Sequence, residues 1–65
     1  MTVDDVEAKL VQIEQVLDDT EAAHCLEDDL HVEVLRAIGE GADNAQDLAK
    51  SALKTLELIK NRWYA

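Results

Sequence analysis

Two carboxylate–histidine pairs have the residue types and spacing to do chemistry. Glu21-Ala22-Ala23-His24 and Asp28-Asp29-Leu30-His31 each place a carboxylate three residues before an imidazole, and the pairs stand seven residues apart. On one helix they would share a side at about 10 Å separation. Carboxylate-x-x-histidine supplies ligands in di-iron four-helix bundles, but there the pairs come from different helices and turn into the core. Two pairs on one segment of an acidic chain read instead as a solvated face, so no metal site and no cofactor is expected. Cys25 directly follows His24, but adjacent helical positions point about 100° apart and cannot form a nucleophile–base pair. The chain has no glycine-rich phosphate loop and no second domain to close a substrate cleft. No catalytic residue is assigned, and the chain is not expected to be an enzyme.

The carboxylates are more informative as a group. Residues 1–35 carry eleven acids and a single base, Lys9, whereas residues 36–65 carry four acids and five bases, for a net charge of −9. Such a surface repels nucleic acid and anionic lipid and favours a basic partner. Glu7, Glu14, Glu21 and Asp28 recur every seven residues, and on a continuous helix they would form one row at about 10 Å spacing. Asp18 falls on a neighbouring row, and Asp29 follows Asp28. A face built only for solubility mixes its signs. This one does not, which marks Glu7, Glu14, Asp18, Glu21, Asp28 and Asp29 as candidate partner-binding residues. Trp63 and Tyr64 join them, because Trp, Tyr and Arg dominate binding hot spots and Arg62-Trp63-Tyr64-Ala65 places them together.

The elements that must position these side chains are helices. Val3, Val6, Leu10, Ile13 and Leu17 are spaced 3, 4, 3, 4, one stripe of a first helix that Thr2 is suited to cap. Leu26, Leu30, Val34, Ala37 and Ile38 share one side of a second, which Gly39-Glu40-Gly41 should end. Ala45, Ala49, Ala52, Leu56, Ile59 and Trp63 form the stripe of a third, with Leu48 and Leu53 beside it. Asp43 with Gln46 resembles its capping box. The spacing predicts an all-α antiparallel bundle of three helices, about 3–18, 20–39 and 43–62, forming one domain over 1–65. Asp18 with Glu21, or Thr20 alone, would cap the second helix. The alternative is one helix over 3–38 paired with a short one, a long-plus-short hairpin that must dimerise.

Sixty-five residues bury only about 60% of their unfolded surface, so small domains need disulfides, a metal or oligomerisation. One cysteine cannot form an internal disulfide. Val11, Val16, Val32, Leu35 and Leu58 lie off the stripes and could form a second apolar surface, so a homo-oligomer, most simply a homodimer, is expected. No apolar run reaches the roughly 18 residues of a membrane span. The N-terminus lacks a basic-then-apolar signal, making a cytoplasmic location the expectation.

Residues 26–65, through Leu30-His31-Val32-Glu33-Val34-Leu35-Arg36-Ala37-Ile38-Gly39-Glu40-Gly41 and the helix ending Arg62-Trp63-Tyr64-Ala65, resemble small helical proteins of phage and prophage regions in proteobacteria. The first 25 residues have no counterpart there. The resemblance implies a bacterial or phage cytoplasmic setting, in which host-takeover and anti-defence inhibitors become plausible. Two functions follow from the sequence. The first is a non-catalytic acidic module that binds a basic or mixed protein surface. The alternative is a nucleic-acid mimic inhibiting a DNA-binding or host-defence protein.

Overall fold

The computed structural model describes residues 1–59, with the Ile59 side chain excepted. The calls on Ile59, Lys60, Arg62, Trp63 and Tyr64 therefore lie outside the described side chains. The chain forms α1 (Val3–Gln15), α2 (Thr20–Gly39), α3 (Ala45–Ala52) and α4 (Lys54–Ile59), with no strand among the described residues. Only Leu53 separates α3 from α4, so the two make up the third arm of an all-α bundle.

Thr2 starts α1 as its sequence promises. Its hydroxyl accepts from the Asp5 amide at 3.2 Å, and the Asp5 carboxylate accepts from the Thr2 amide at 2.8 Å. This reciprocal capping box satisfies two of the donors a helix start leaves open. The Thr2 hydrogen bonds also hold the Asp5 carboxyl below its ordinary range, chiefly through the Thr2 backbone.

The chain breaks between the first two helices, so the long helix over 3–38 does not form. α1 stops at Gln15, three residues before the expected end. Val16 leaves helical geometry at φ −115°, ψ 19°, and its amide turns back to the Ile13 carbonyl at 3.1 Å. The cap of α2 is Asp19, whose Oδ1 accepts from the Ala22 amide at 3.1 Å. Neither Asp18 with Glu21 nor Thr20 takes that role. Thr20 is already the first helical residue, and Asp19, at φ −102° and ψ 96°, has the extended backbone a cap requires.

α2 ends in a Schellman motif. The Ala42 amide donates to the Ala37 carbonyl at 3.1 Å and the Gly41 amide to that of Ile38 at 3.0 Å, while Gly41 takes φ +91°. Glycine holds that conformation without the steric cost a Cβ imposes. α3 starts at Ala45 and not at residue 43. Its cap position, Asn44, makes no side-chain cap bond, so the Asp43–Gln46 box does not form. The Asn44 amide group instead donates to the Met1 carbonyl at 3.1 Å, tying the chain start to the α2–α3 turn.

The core is Val6, Leu10 and Ile13 of α1, Ala23, Leu30 and Val34 of α2, and Leu48 and Ala52 of α3. The α1 and α2 stripes therefore pack as their spacing predicts. Leu17, beyond the end of α1, still packs against the core from the connection, and so does Val16, because the backbone turns there. The third arm is rotated from its expected register. Leu48, Ser51, Ala52 and Thr55 are buried, whereas Leu53 and Leu56 are 58% and 55% exposed. Leu58, read as off the stripe, packs against the core. Burying Leu48 removes more apolar surface than burying Ala45 or Ala49 would, which favours the observed rotation. The two buried hydroxyls are both bonded, Ser51 to Glu7 and Thr55 to His31.

Candidate interaction surface

The helix directions decide which acids meet. Asn44 reaches Met1, Ser51 and Lys54 reach Glu7, and Leu58 shares a groove with Glu14. The third arm therefore runs parallel to α1. The end of α2 lies beside the start of α1, where Glu33, Arg36 and Glu40 line a groove with Asp5 and Lys9. That makes α2 antiparallel to its neighbours.

This topology divides the seven-residue acidic row. Glu7 and Glu14 stay on α1, while Glu21 and Asp28 lie beyond the Val16–Asp19 turn on the antiparallel α2. Glu7 is only half-exposed and already partnered. Lys54 Nζ donates to its Oε1 at 2.6 Å, and Ser51 Oγ donates to the same oxygen at 3.1 Å. These bonds, Lys54 first, hold the Glu7 carboxyl below its ordinary value of 4.5. Glu7 thus joins α1 to α3 and α4.

The remaining acids fall into two sets. Glu14, Asp18, Asp19 and Glu21 are exposed within eight residues around the α1–α2 turn, a stretch containing no Lys or Arg. Asp19 is occupied as a cap. Asp28 and Asp29 are exposed on the middle of α2. Glu27 is among the acids that sequence spacing did not single out. It is buried, and its Oε1 lies 3.7 Å from His24 Nδ1.

Both carboxylate–histidine pairs stay on α2, and each imidazole has a further neighbour. His31 Nε2 lies 3.0 Å from Thr55 Oγ1 across the α2–α4 contact, and His24 lies beside Glu27. Among the described residues, no three His, Cys, Asp or Glu side chains gather as a metal site would require. No helix among them is long and apolar enough to cross a membrane.

The groove between α1 and α4 combines charge with apolar surface. It encloses about 340 Å³, lined by Leu10, Val11 and Leu58 and bordered by Glu7, Glu14, Glu57 and Lys54. Val11 is 54% exposed. Lys54 is engaged by Glu7, which leaves Glu14 and Glu57 as the acids flanking an exposed valine. Glu57 was absent from the sequence-derived set, because its link to Glu14 exists only once α4 docks parallel to α1. The larger groove between α1 and α2, about 780 Å³, sets four acids, Asp5, Glu33, Glu40 and Asp43, against two bases, Lys9 and Arg36, and so carries the same net charge sign as the α1–α4 groove. Lys9 therefore offsets acids on that face and none in the α1–α4 groove.

No protein-family model, curated protein or solved structure matches this chain.

Proposed function

We propose that this chain is a non-catalytic protein-interaction module whose α1–α4 groove receives a basic, partly apolar segment of another protein. One observation supports the reading most directly: Glu14 and Glu57 flank the exposed Val11 in a groove floored by Leu10 and Leu58. An apolar anchor with two carboxylates beside it, where the groove's lysine is engaged by Glu7, offers both affinity and steering toward a cationic partner. The Glu14–Glu21 corner beside it extends the negative field.

Nucleic-acid mimicry ranks second. It calls for carboxylates in a regular, phosphate-like row, and the seven-residue row is split between antiparallel helices with Glu7 engaged internally.

Affinity capture from the native host tests the proposal. A basic protein should be retained by the wild-type chain, released as salt rises, and lost with Glu14→Lys plus Glu57→Lys. Asp28→Lys plus Asp29→Lys, on α2, should keep it. Retention by the groove variant would refute the groove as the binding site. Competition of the captured protein's binding by duplex DNA would move the mimic reading to first place.

A further inference from the structure

A third cleft lies on the other side of α3, between α2 and the third arm. His31, Leu35 and Ile38 of α2 face Ala49, Ala52 and Leu53 across about 280 Å³. Leu35 and Leu53 are 66% and 58% exposed. Val32 precedes Leu35 by about one turn and Leu56 follows Leu53 by about one turn, and both are exposed. Exposed apolar side chains thus stand both in the cleft and within a turn of it on each arm, and clustered exposed apolar residues mark contact surfaces on small soluble proteins.

We infer that this face is the interface of a homodimer, with a second copy of the chain as its occupant. Charge is the first reason. Two chains at −9 repel each other wherever their carboxylates meet. The α2–α3 cleft is lined by no Asp, Glu, Lys or Arg. The other two grooves each carry at least three acids. Of these three clefts it is therefore the one on which two copies approach at least electrostatic cost. A basic partner gains nothing here and belongs on the α1–α4 groove.

Shape and size supply the second reason. Leu35 and Leu53 stand as ridges on either side of a furrow, and a twofold-related copy presents the same ridges and furrow in return. A stable interface needs about 800 Å² per partner, a central apolar patch with a polar rim. The exposed leucines supply such a centre. Among the described residues the buried core they would extend is Val6, Leu10, Ile13, Ala23, Leu30, Val34, Leu48 and Ala52, and a chain this short buries a smaller share of its surface than a larger domain does.

The inference stands apart from the proposed partner groove, and the two respond to salt in opposite directions. Screening weakens attraction to a basic partner but relieves repulsion between two acidic copies. Sedimentation equilibrium from micromolar to near-millimolar protein tests it. A reductant should be present, because the exposed Cys25 would otherwise cross-link copies covalently. The expected result is a mass that doubles with concentration and does so at lower concentration in higher salt. Leu35→Glu with Leu53→Glu should weaken association more than tenfold, with the helical circular dichroism unchanged because neither side chain is buried. Val11→Glu, on α1, should dimerise as the wild type does. Should the double variant lose its helical signal, Leu35→Ser carries the same comparison. A wild-type mass that stays monomeric throughout overturns the inference, as does a dimer indifferent to these substitutions. A monomer that captures another protein through Leu35 overturns it too, and assigns the face to that protein.

Discussion

Glu7 and Lys54, forty-seven residues apart in the chain, meet at 2.6 Å and join the first helix to the last. Their contact gives stability a defined pH dependence. The Glu7 carboxyl is held below its ordinary value of 4.5 in the fold by the Lys54 and Ser51 hydrogen bonds. A depressed folded value means that the stabilisation is complete above the unfolded value and is lost as pH falls through the folded one. Glu7→Gln should therefore lower the melting temperature at neutral pH, and the gap from wild type should close below pH 4.5. Comparing the two proteins at each pH cancels the general relief of acidic repulsion. Equal melting temperatures at pH 7 would show that the pair contributes nothing to stability.

The turn between α1 and α2 depends on Asp19. Asp19→Ala leaves the Ala22 amide without its cap and should cost about 1 kcal/mol. In a domain of this size that is about 4–8 °C in melting temperature. Thr20→Ala should stay within about 0.5 kcal/mol of wild type, since Thr20 lies inside the helix and makes no cap bond. The reverse order would return the cap to Thr20.

Register in the third arm can be read from two leucines. Leu48 is fully buried and Leu56 is 55% exposed. Leu48→Ala should cost about 2–5 kcal/mol, enough to unfold much of a small domain. Leu56→Ala should cost well under half of that, measured by urea unfolding on dilute protein. Similar losses for the two would favour the rotation expected from the alanine stripe.

The two glycines near the end of α2 should respond with opposite signs. Nothing lies within 4 Å of a Cβ added at either one, so packing does not distinguish them. Gly39 is the last helical residue, and Gly39→Ala should stabilise by about 0.4–1 kcal/mol through the unfolded chain's lost freedom. Gly41 sits at φ +91°, where Gly41→Ala should destabilise by about 1 kcal/mol or more. Thermal melts of the two single variants decide the matter.

Local features were the legible part of this sequence. Thr2 with its first-turn acids, the α1 and α2 stripes and the Gly39–Gly41 stop all act through near neighbours, and spacing captures them. The cap at Asp19 was off by one residue because Asp18, Asp19 and Thr20 are all competent caps, and only the backbone chooses among them. The third arm was less legible. Its alanines repeat well, but register is set by what faces the helix. Glu7 meets Ser51, and His31 meets Thr55; these pairings draw two hydroxyls inward and leave Leu53 and Leu56 outside. The seven-residue acidic row is divided for the same reason: a periodic row assumes one axis, and the chain turns at Val16. No local signal ties Glu57 to Glu14.

The parallel course of α1 and the third arm has a consequence for how the chain reaches this state. Contacts of α2 with either neighbour join consecutive helices across short turns, so they close quickly. Contacts of α1 with α3 and α4 close a loop containing the whole of α2, the largest loop-closure entropy in the molecule. Docking of α1 onto the third arm is then expected late in folding, and interactions formed late act mainly on the rate of unfolding. Glu7–Lys54 and Asn44–Met1 would serve as latches: removing either should speed opening while leaving the rate of closure nearly unchanged.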